Sequence, residues 1–288
     1  MCQRVAVACA LLLLTRPFHA QQRPTFSSRA LGVRVDVLVT DGHKPVGGLG
    51  ARDFELRDNG IPQSVEVVDA ADVPLNAVLA LDTSASIRGR RREDLIAAGD
   101  SLLDDLKPVD RASLTTFSHA VAPRVPLTSD FPAVRAELHR IEPEGQTAIM
   151  DGAYTALTTT LTQTGRSLVI LCTDGSDTSS WLEPREVVDA AKRSNAVFYG
   201  VTAADGRRSA ALSELADATG GQILHVKSSA ELAATLKGIL NEFRSRYILA
   251  YNPTAVALGG FHTLDVRVKR HGLTVKARPG YIGVGGGS

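Results

Sequence analysis

Between residues 75 and 243, short apolar runs alternate with amphipathic segments, and this alternation restricts the fold of the chain more than any other feature. The apolar runs have the length of buried strands, whereas the segments between them repeat their apolar residues at helical spacing. Strands that alternate with helices in this way form a mostly parallel sheet with helices on both faces. We therefore predict a doubly wound α/β domain over residues 75–243.

The boundaries of the elements follow from the same pattern. The predicted strands lie at 76–81, 111–118, 122–127, 167–173, 196–203 and 222–227. The predicted helices lie at 91–106, 131–141, 148–162, 184–194, 209–218 and 229–244. Because the strand at 122–127 follows the strand at 111–118 after a short turn, with no room for a crossover helix, we expect it to be an antiparallel edge strand.

A run of oxygen-bearing side chains, Asp82-Thr83-Ser84-Ala85-Ser86, follows the first predicted strand directly. Open α/β sheets bind their ligands at the carboxyl ends of the strands. A carboxylate and two hydroxyls at alternate positions can converge there on one point, and such hard oxygen ligands suit Mg²⁺. Taken alone the run is weak evidence, because Asp, Ser and Thr are also ordinary residues of helix caps and turns.

Two further residues of the same kind follow in order along the chain. Thr147 lies on a loop that opens a predicted helix, and Asp174 lies at the end of the predicted strand at 167–173. With these three loops the chain resembles the von Willebrand factor type A (VWA) family over roughly residues 75–243. The residues that match the metal-ion-dependent adhesion site (MIDAS) of that family are Asp82, Ser84, Ser86, Thr147 and Asp174.

The resemblance implies a function as well as a fold. In such sites the two serines and the threonine hold the metal directly when a ligand is bound, and the two aspartates act through water. The metal implied here is Mg²⁺ or Mn²⁺. Because neutral hydroxyls compensate the charge of the cation poorly, an Asp or Glu carboxylate of a protein partner completes the coordination. The expected function is a non-catalytic binding module that captures an acidic residue of a protein partner.

An enzyme is the alternative interpretation, such as a metal-assisted hydrolase on a doubly wound sheet. Phosphotransfer to Asp82 would call for a second carboxylate two positions later, where Ser84 stands. The sequence contains no G-x-S-x-G, P-loop or H-E-x-x-H motif, and no histidine is placed to act as a general base beside a candidate nucleophile. We therefore expect that the chain is not an enzyme.

Several residues near these loops allow two interpretations. The arginines at 88, 90, 91 and 92 form either a solvated helix start or a basic patch that attracts an acidic partner. Asp151 either compensates the dipole of a helix N-terminus or supports the metal site. We interpret Asp177 as a residue that stabilises a turn. Trp181 is either an exposed contact residue or part of the core.

The segments on either side of the α/β domain alternate with a period of two residues, which predicts β-strands. In the first, 29–72, Val33, Val35 and Val37 point the same way; the second is 246–282. Because each segment offers only a few strands, we predict that the two pair in one small antiparallel β module. The basic residues of the second segment, which include Lys276 and Arg278, should lie on its solvent-exposed face.

The flanking segments also contain short motifs that resemble bacterial secreted VWFA-related proteins. The motifs are Asp53-Phe54-Glu55-Leu56, Asn59-Gly60-Ile61-Pro62-Gln63, Tyr247-Ile248-Leu249-Ala250-Tyr251 and Arg278-Pro279-Gly280-Tyr281. This resemblance extends the expected relationship beyond the α/β domain. It also implies an exported bacterial protein.

The N-terminus has the layout of a secretory signal peptide over residues 1–20. Arg4 precedes an apolar run at 5–14, and a plausible cleavage point follows Ala20. The run is too short for a spanning helix, and no later stretch is long and apolar enough to span a bilayer. We expect a protein that is periplasmic, on the cell surface or extracellular. Beyond the cysteines of this segment only Cys172 remains, as a small buried hydrophobe.

Charge and composition exclude one class of partner. The chain has 32 Lys and Arg residues against 31 Asp and Glu residues. Nucleic-acid binding would call for a strong basic excess, so we expect no nucleic-acid partner. The sequence carries no signal for an oligomeric state and does not identify the protein partner.

Overall fold

The computed structural model describes residues 32–203 and 209–283, apart from the side chain of Asp72. The predicted signal peptide, 1–20, and residues 29–31 of the predicted N-terminal segment lie outside the described residues. The strands, in chain order, are β1 (Val33–Asp41), β2 (Lys44–Pro45), β3 (Phe54–Asp58), β4 (Ile61–Gln63), β5 (Glu66–Val68), β6 (Leu75–Asp82), β7 (Arg111–Phe117), β8 (Val121–Thr128), β9 (Arg166–Thr173), β10 (Ala196–Ala203), β11 (Gln222–Val226), β12 (Tyr247–Tyr251), β13 (Gly260–Val268), β14 (Thr274–Lys276) and β15 (Gly280–Gly283).

The helices lie close to their predicted positions. They are α1 (Arg90–Asp104), α2 (Phe131–His139), α3 (Ile149–Thr158), α4 (Pro184–Arg193), α5 (Ala210–Thr219) and α6 (Leu232–Ser245). α3 is four residues shorter than predicted at its C-terminus, where threonine hydroxyls bond to nearby carbonyls, as Thr160 Oγ1 does to Leu157 O at 2.7 Å. Among the helices of the described residues, none is long and apolar enough to cross a membrane.

The central sheet has the strand order β11-β10-β9-β6-β7-β8. Its strands are parallel, except that β8 runs antiparallel to β7 at one edge. This confirms the prediction of an antiparallel edge strand at 122–127. The chain proceeds from β6 outward to β8 and then returns to β9 on the other side of β6. The direction of winding therefore switches between β6 and β9, where doubly wound folds open a crevice.

Both faces of the central sheet are covered by helices, which confirms the doubly wound α/β fold. Leu79 and Leu81 of β6 contribute to a core with residues of α1, α2 and α6. Val78 and Ala80 of the same strand contribute to a second core with residues of α3, α4 and α5. Because both faces are buried, every residue of β6 is buried, and its sequence reads as a continuous apolar run without alternation.

The flanking strands form two further antiparallel sheets, and each contains strands from both ends of the described chain. In one, β1 pairs with β12 and β14; in the other, β13 pairs with β3 and β15. Val35, Val37 and Val39 are buried between the sheets, as their alternation predicts. The domain boundaries proposed from the sequence, 29–72, 75–243 and 246–282, stay predictions.

The prediction that the basic residues of the C-terminal strands face solvent is wrong for Arg278, which is buried against α4. Its Nη1 donates to Asn195 Oδ1 at 3.0 Å and its Nη2 donates to Lys192 O at 2.9 Å. Lys276 is half-buried, and burial lowers the pKa of its ammonium group. The reason is tertiary: these strands abut the α/β part, so a side chain that would face water in an isolated module meets acceptors there.

Candidate metal centre

Sheet topology brings the two aspartates of the predicted site together. Asp82 is the last residue of β6, and Asp174 directly follows the last residue of β9. The two strands are parallel neighbours, with Leu81 aligned to Cys172. Both carboxylates therefore lie at the carboxyl edge of the sheet, at the point where its winding direction switches. This is the position at which open α/β sheets bind ligands.

The two serines lie on a loop whose backbone is bonded to its neighbours. Thr83 N donates to Phe117 O at 2.8 Å, and Ala85 N donates to Gly145 O at 3.1 Å. The side-chain oxygens of Ser84 and Ser86 lie 2.9 Å apart, and Ser86 Oγ donates to Asp174 Oδ1 at 2.7 Å. The hydroxyls of this loop thus reach across to the carboxylate that follows β9.

Thr147 lies on a third loop, which also contacts the serine loop and the segment after β9. Glu144 N donates to Thr83 O at 2.8 Å, which bonds this loop to the serine loop. Gly145 has a φ of +71°, and a Cβ built on it would clash with the ring of His119, so this sharp turn requires glycine. A Cβ built on Gly175 would lie 3.6 Å from Thr147 Oγ1. The threonine hydroxyl is therefore adjacent to the residue that follows Asp174.

Asp82 is fully buried and has donors on both carboxylate oxygens. Its Oδ1 accepts from Ser84 N at 2.8 Å, and its Oδ2 accepts from Thr173 Oγ1 at 2.6 Å. Burial raises the pKa of Asp82 above its usual value, while the hydrogen bonds from Thr173 and Ser84 oppose that rise. A charged Asp82 is thus destabilised by its surroundings, and a nearby cation would relieve that destabilisation.

Arg91 pairs with Asp174, a contact that the sequence did not reveal. Its Nη1 donates to Asp174 Oδ2 and also lies 3.4 Å from Ser86 O. The residue stands on the first turn of α1, which begins just after the serine loop. Arg91 is therefore half-exposed at the start of α1 and is also paired with Asp174, which neither interpretation of the arginines at 88–92 included. The signal that could have found it is its position on a helix that starts at the site.

The other residues near the loops have defined contacts. Asp151 accepts from the backbone N–H groups of Trp181 and Leu182, so it supports a loop rather than the metal site directly. Asp177 accepts from Ser180 and from Met150 N, as expected of a residue that stabilises a turn. The side chain of Trp181 is exposed, which decides between the two interpretations of that residue.

The donor set of the centre fits a hard cation. Its side chains offer only hydroxyl and carboxylate oxygens, which are the ligands that Mg²⁺ and Mn²⁺ prefer. Neighbouring oxygens of an octahedron with Mg–O bonds of 2.0–2.1 Å are about 2.9 Å apart, and the two serine oxygens have that spacing. Within residues 32–203 and 209–283, no group of three His, Cys, Asp or Glu side chains is arranged to hold a metal.

The thiol of Cys172 is buried, and burial raises its pKa to about 12.

The chain belongs to the von Willebrand factor type A domain family. The family model matches residues 76–239, which is more than half of the 288 residues. Proteins with this domain mediate protein–protein interactions. A search of curated proteins found no match.

Solved structures share the fold of this chain at low sequence identity. A von Willebrand factor type A protein from Catenulispora acidiphila is 14% identical, with a TM-score of 0.51, and the match covers 89% of this chain and 75% of that one. Proximal thread matrix protein 1 from the mussel byssus, in a structure with a zinc-occupied MIDAS motif, is 16% identical with a TM-score of 0.53. That match covers 64% of this chain and 49% of the mussel protein.

Proposed function

We propose that this chain is an exported, non-catalytic binding module that uses a divalent metal, Mg²⁺ or Mn²⁺, to capture an Asp or Glu carboxylate of a protein partner. The observation that carries the proposal is the convergence of three loops at the switch point of the sheet. Ser84, Ser86 and Thr147 would hold the metal directly, and Asp82 and Asp174 would act through water. The zinc-occupied MIDAS motif of the mussel protein supports a divalent metal at the equivalent place.

When bound, the metal would supply a site of positive charge that accepts a carboxylate oxygen of the partner. The protein supplies the geometry. The bonds from Thr83 N to Phe117 O and from Ala85 N to Gly145 O orient the serine loop before any partner arrives. Because three of the five side chains are neutral hydroxyls, much of the charge of the cation stays uncompensated within the protein. An anionic group of the partner is therefore the favoured last ligand.

The ion pair between Arg91 and Asp174 supports the proposal, because it shows that the centre attracts a cation. In its pair with Asp174, a cation of the chain already neutralises one of the two carboxylates. The centre therefore attracts positive charge, and the guanidinium that pairs with it is half-exposed. Among the described residues, the side chains that bond to the two carboxylates are Thr173, Ser86 and Arg91, and none of these is a histidine.

Calorimetric titration of residues 21–288 with Mg²⁺ and Mn²⁺ tests the proposal. We expect binding of one ion and a matching rise in the unfolding temperature, because a ligand that binds only the folded state stabilises it. Asp82→Ala and Thr147→Ala should each remove the binding heat while the circular dichroism spectrum stays native. Absence of heat and of thermal shift in the unsubstituted protein would refute the proposed site.

A matched control uses a threonine at the opposite edge of the central sheet. Thr162 is exposed between the end of α3 and the start of β9, at the edge of the sheet opposite the centre. Thr162→Ala should bind metal as the unsubstituted protein does. Metal-dependent turnover of an aryl phosphate or an ester by the loaded protein, lost in Thr147→Ala, would instead favour a hydrolase.

A further inference from the structure

Trp181 is the one tryptophan of the sequence, and its side chain is 91% exposed. An indole ring of this kind leaves a large apolar surface in contact with water, which costs free energy unless something covers it. The residue lies on the loop between β9 and α4. That loop begins with Asp174, so the exposed ring and the metal centre belong to one segment of chain.

The backbone that carries the indole is well bonded. The carboxylate of Asp151, in the first turn of α3, accepts from Trp181 N at 3.0 Å and from Leu182 N at 2.9 Å. Just before it, Ser180 Oγ donates to Asp177 Oδ2 at 2.7 Å and accepts from Met150 N at 3.0 Å. The loop is thus attached to the start of α3, so holding its backbone in place against a partner would cost little further conformational entropy.

The same loop also contacts a proposed metal ligand. Thr178 N and Ser179 N both donate to Thr147 O, at 2.9 Å and 3.2 Å, and Thr147 N donates to Thr178 Oγ1 at 3.1 Å. Trp181 is therefore two residues from a group that fixes Thr147. A partner whose carboxylate reaches the centre would bring its neighbouring residues over this loop.

The rim of the centre has two different sides. Arg91 reaches Asp174 from α1, which covers one face of the sheet, whereas the loop of Trp181 is attached to α3 on the other face. A bound segment would meet positive charge on one side and the indole on the other. An acidic residue with an apolar neighbour complements the metal and the indole together.

We propose that Trp181 is the apolar anchor of the partner interface and selects an acidic segment with an apolar side chain beside its metal-binding Asp or Glu. This rests on the proposed function of the metal centre. The metal would provide the attraction common to all carboxylates, and the indole would discriminate among them. Tryptophan is one of the residue types enriched among the few that carry most of the binding energy of an interface.

Selection from a displayed library of random linear peptides tests the proposal. The immobilised protein is loaded with Mg²⁺, and bound peptides are eluted with chelator. We expect the eluted peptides to carry Asp or Glu with an aromatic or large aliphatic residue beside it. The strongest peptide should bind Trp181→Ala at least about tenfold more weakly than the unsubstituted protein, with Trp181→Phe in between. Its binding should also shift the tryptophan emission to shorter wavelength.

Two controls separate the outcomes. Val109→Ala changes another exposed apolar side chain, 63% exposed, at the opposite edge of the sheet, and should bind the peptide unchanged. The Mg²⁺ affinity of Trp181→Ala should equal that of the unsubstituted protein. Equal peptide affinity, unshifted emission, or a joint loss of metal and peptide binding in Trp181→Ala would overturn the role of Trp181. Failure of Mg²⁺ to bind the unsubstituted protein would instead overturn the proposed function, and this proposal with it.

Discussion

Two aspartates of this protein, Asp82 and Asp58, are both fully buried, yet their surroundings differ in kind. Asp58 lies in the core of the flanking β-sheets, where its Oδ2 accepts from Tyr251 Oη at 2.8 Å and from Tyr281 Oη at 2.9 Å, and its Oδ1 is 2.8 Å from His262 Nδ1. Asp82 lies at the edge of the central sheet, and its neighbours are hydroxyls, a backbone N–H and the loop of a second carboxylate.

The two carboxylates differ in whether the groups around them can accept a further ligand from solvent. The phenols and the imidazole around Asp58 are buried and form a cluster closed to solvent, so the carboxylate is a structural anchor. The hydroxyls of Ser84 and Ser86 beside Asp82 retain acceptor capacity, and Ser86 is exposed. Burial alone does not make an aspartate part of a binding site, since that also takes neighbours that can accept a further ligand from solvent.

The largest expected effect comes from removing the closed cluster. Asp58→Ala leaves two phenols and an imidazole buried without their acceptor and should lower the free energy of unfolding by about 3–5 kcal/mol. Urea unfolding measures it. Asp265→Ala, on the neighbouring strand β13 with a side chain 41% exposed, is the control and should change stability by less than about 0.5 kcal/mol. A loss under about 1 kcal/mol for Asp58→Ala would mean that the cluster is not an anchor.

Asp82→Asn should lower metal affinity with little effect on the free energy of unfolding. Burial raises the pKa of Asp82 above its value in the unfolded chain, so the carboxyl group contributes stability only while it is protonated, and that contribution is lost as the pH rises through the folded-state pKa. The neutral amide should therefore leave the metal-free stability at neutral pH unchanged or slightly higher, while Mg²⁺ affinity falls about 10–100-fold. Chemical unfolding with chelator and calorimetry with Mg²⁺ measure the two quantities. If Asp82→Asn lost as much stability as Asp58→Ala, the two aspartates would not differ as described.

Alkaline pH should weaken the closed cluster. Burial raises the pKa of Tyr281 from 10.0 to about 12 and raises that of Tyr251 as well. A raised pKa in the folded state means that the contribution to stability is complete below pH 10.0 and is lost as the pH rises through about 12. Tyr281→Phe should cost about 1 kcal/mol at neutral pH and should flatten this alkaline loss. Unfolding free energies measured against pH, together with the ultraviolet absorbance of tyrosinate, test this prediction. A pH profile that the substitution leaves unchanged would contradict it.

The smallest expected effect concerns Arg91. Arg91→Gln removes a cation that occupies Asp174, so Mg²⁺ affinity should rise by up to about fivefold at low salt, because a half-exposed ion pair contributes about 1 kcal/mol or less. The gain should shrink as salt screens the pair. Arg90→Gln is the matched control, because Arg90 pairs with Asp94 one turn along α1 and leaves Asp174 untouched. Equal gains in both variants would point to a general change in charge.

Much of the fold could be predicted because each element carries its own pattern. The strand at 167–173 was predicted one residue short of β9, and the helix at 184–194 one residue longer than α4. That the oxygen-bearing loops come together could be predicted for a similar reason, whereas their role as metal ligands stays a prediction. In a parallel sheet, the loops that leave neighbouring strands lie at the same edge. Because β6 and β9 are adjacent and parallel, Asp82 and Asp174 must lie close together.

The cluster around Asp58 and the contact from Arg91 to Asp174 could not be predicted in this way. Asp58 and His262 are 204 positions apart, and Arg91 and Asp174 are 83 apart. No local periodicity relates residues at such separations. Arg278 is a further case, since alternation shows which face of a strand a side chain takes but not what that face will meet.

The elements, their order, the doubly wound class and the oxygen-bearing loops could be predicted because they depend on patterns within a few residues. Which charged side chains meet depends on the tertiary structure. It joined Arg91 to Asp174, enclosed Asp58 among phenols, buried Arg278 against α4 and left Trp181 in solvent. Side-chain contacts across separate elements depend on how those elements pack, and packing is a property of the whole chain.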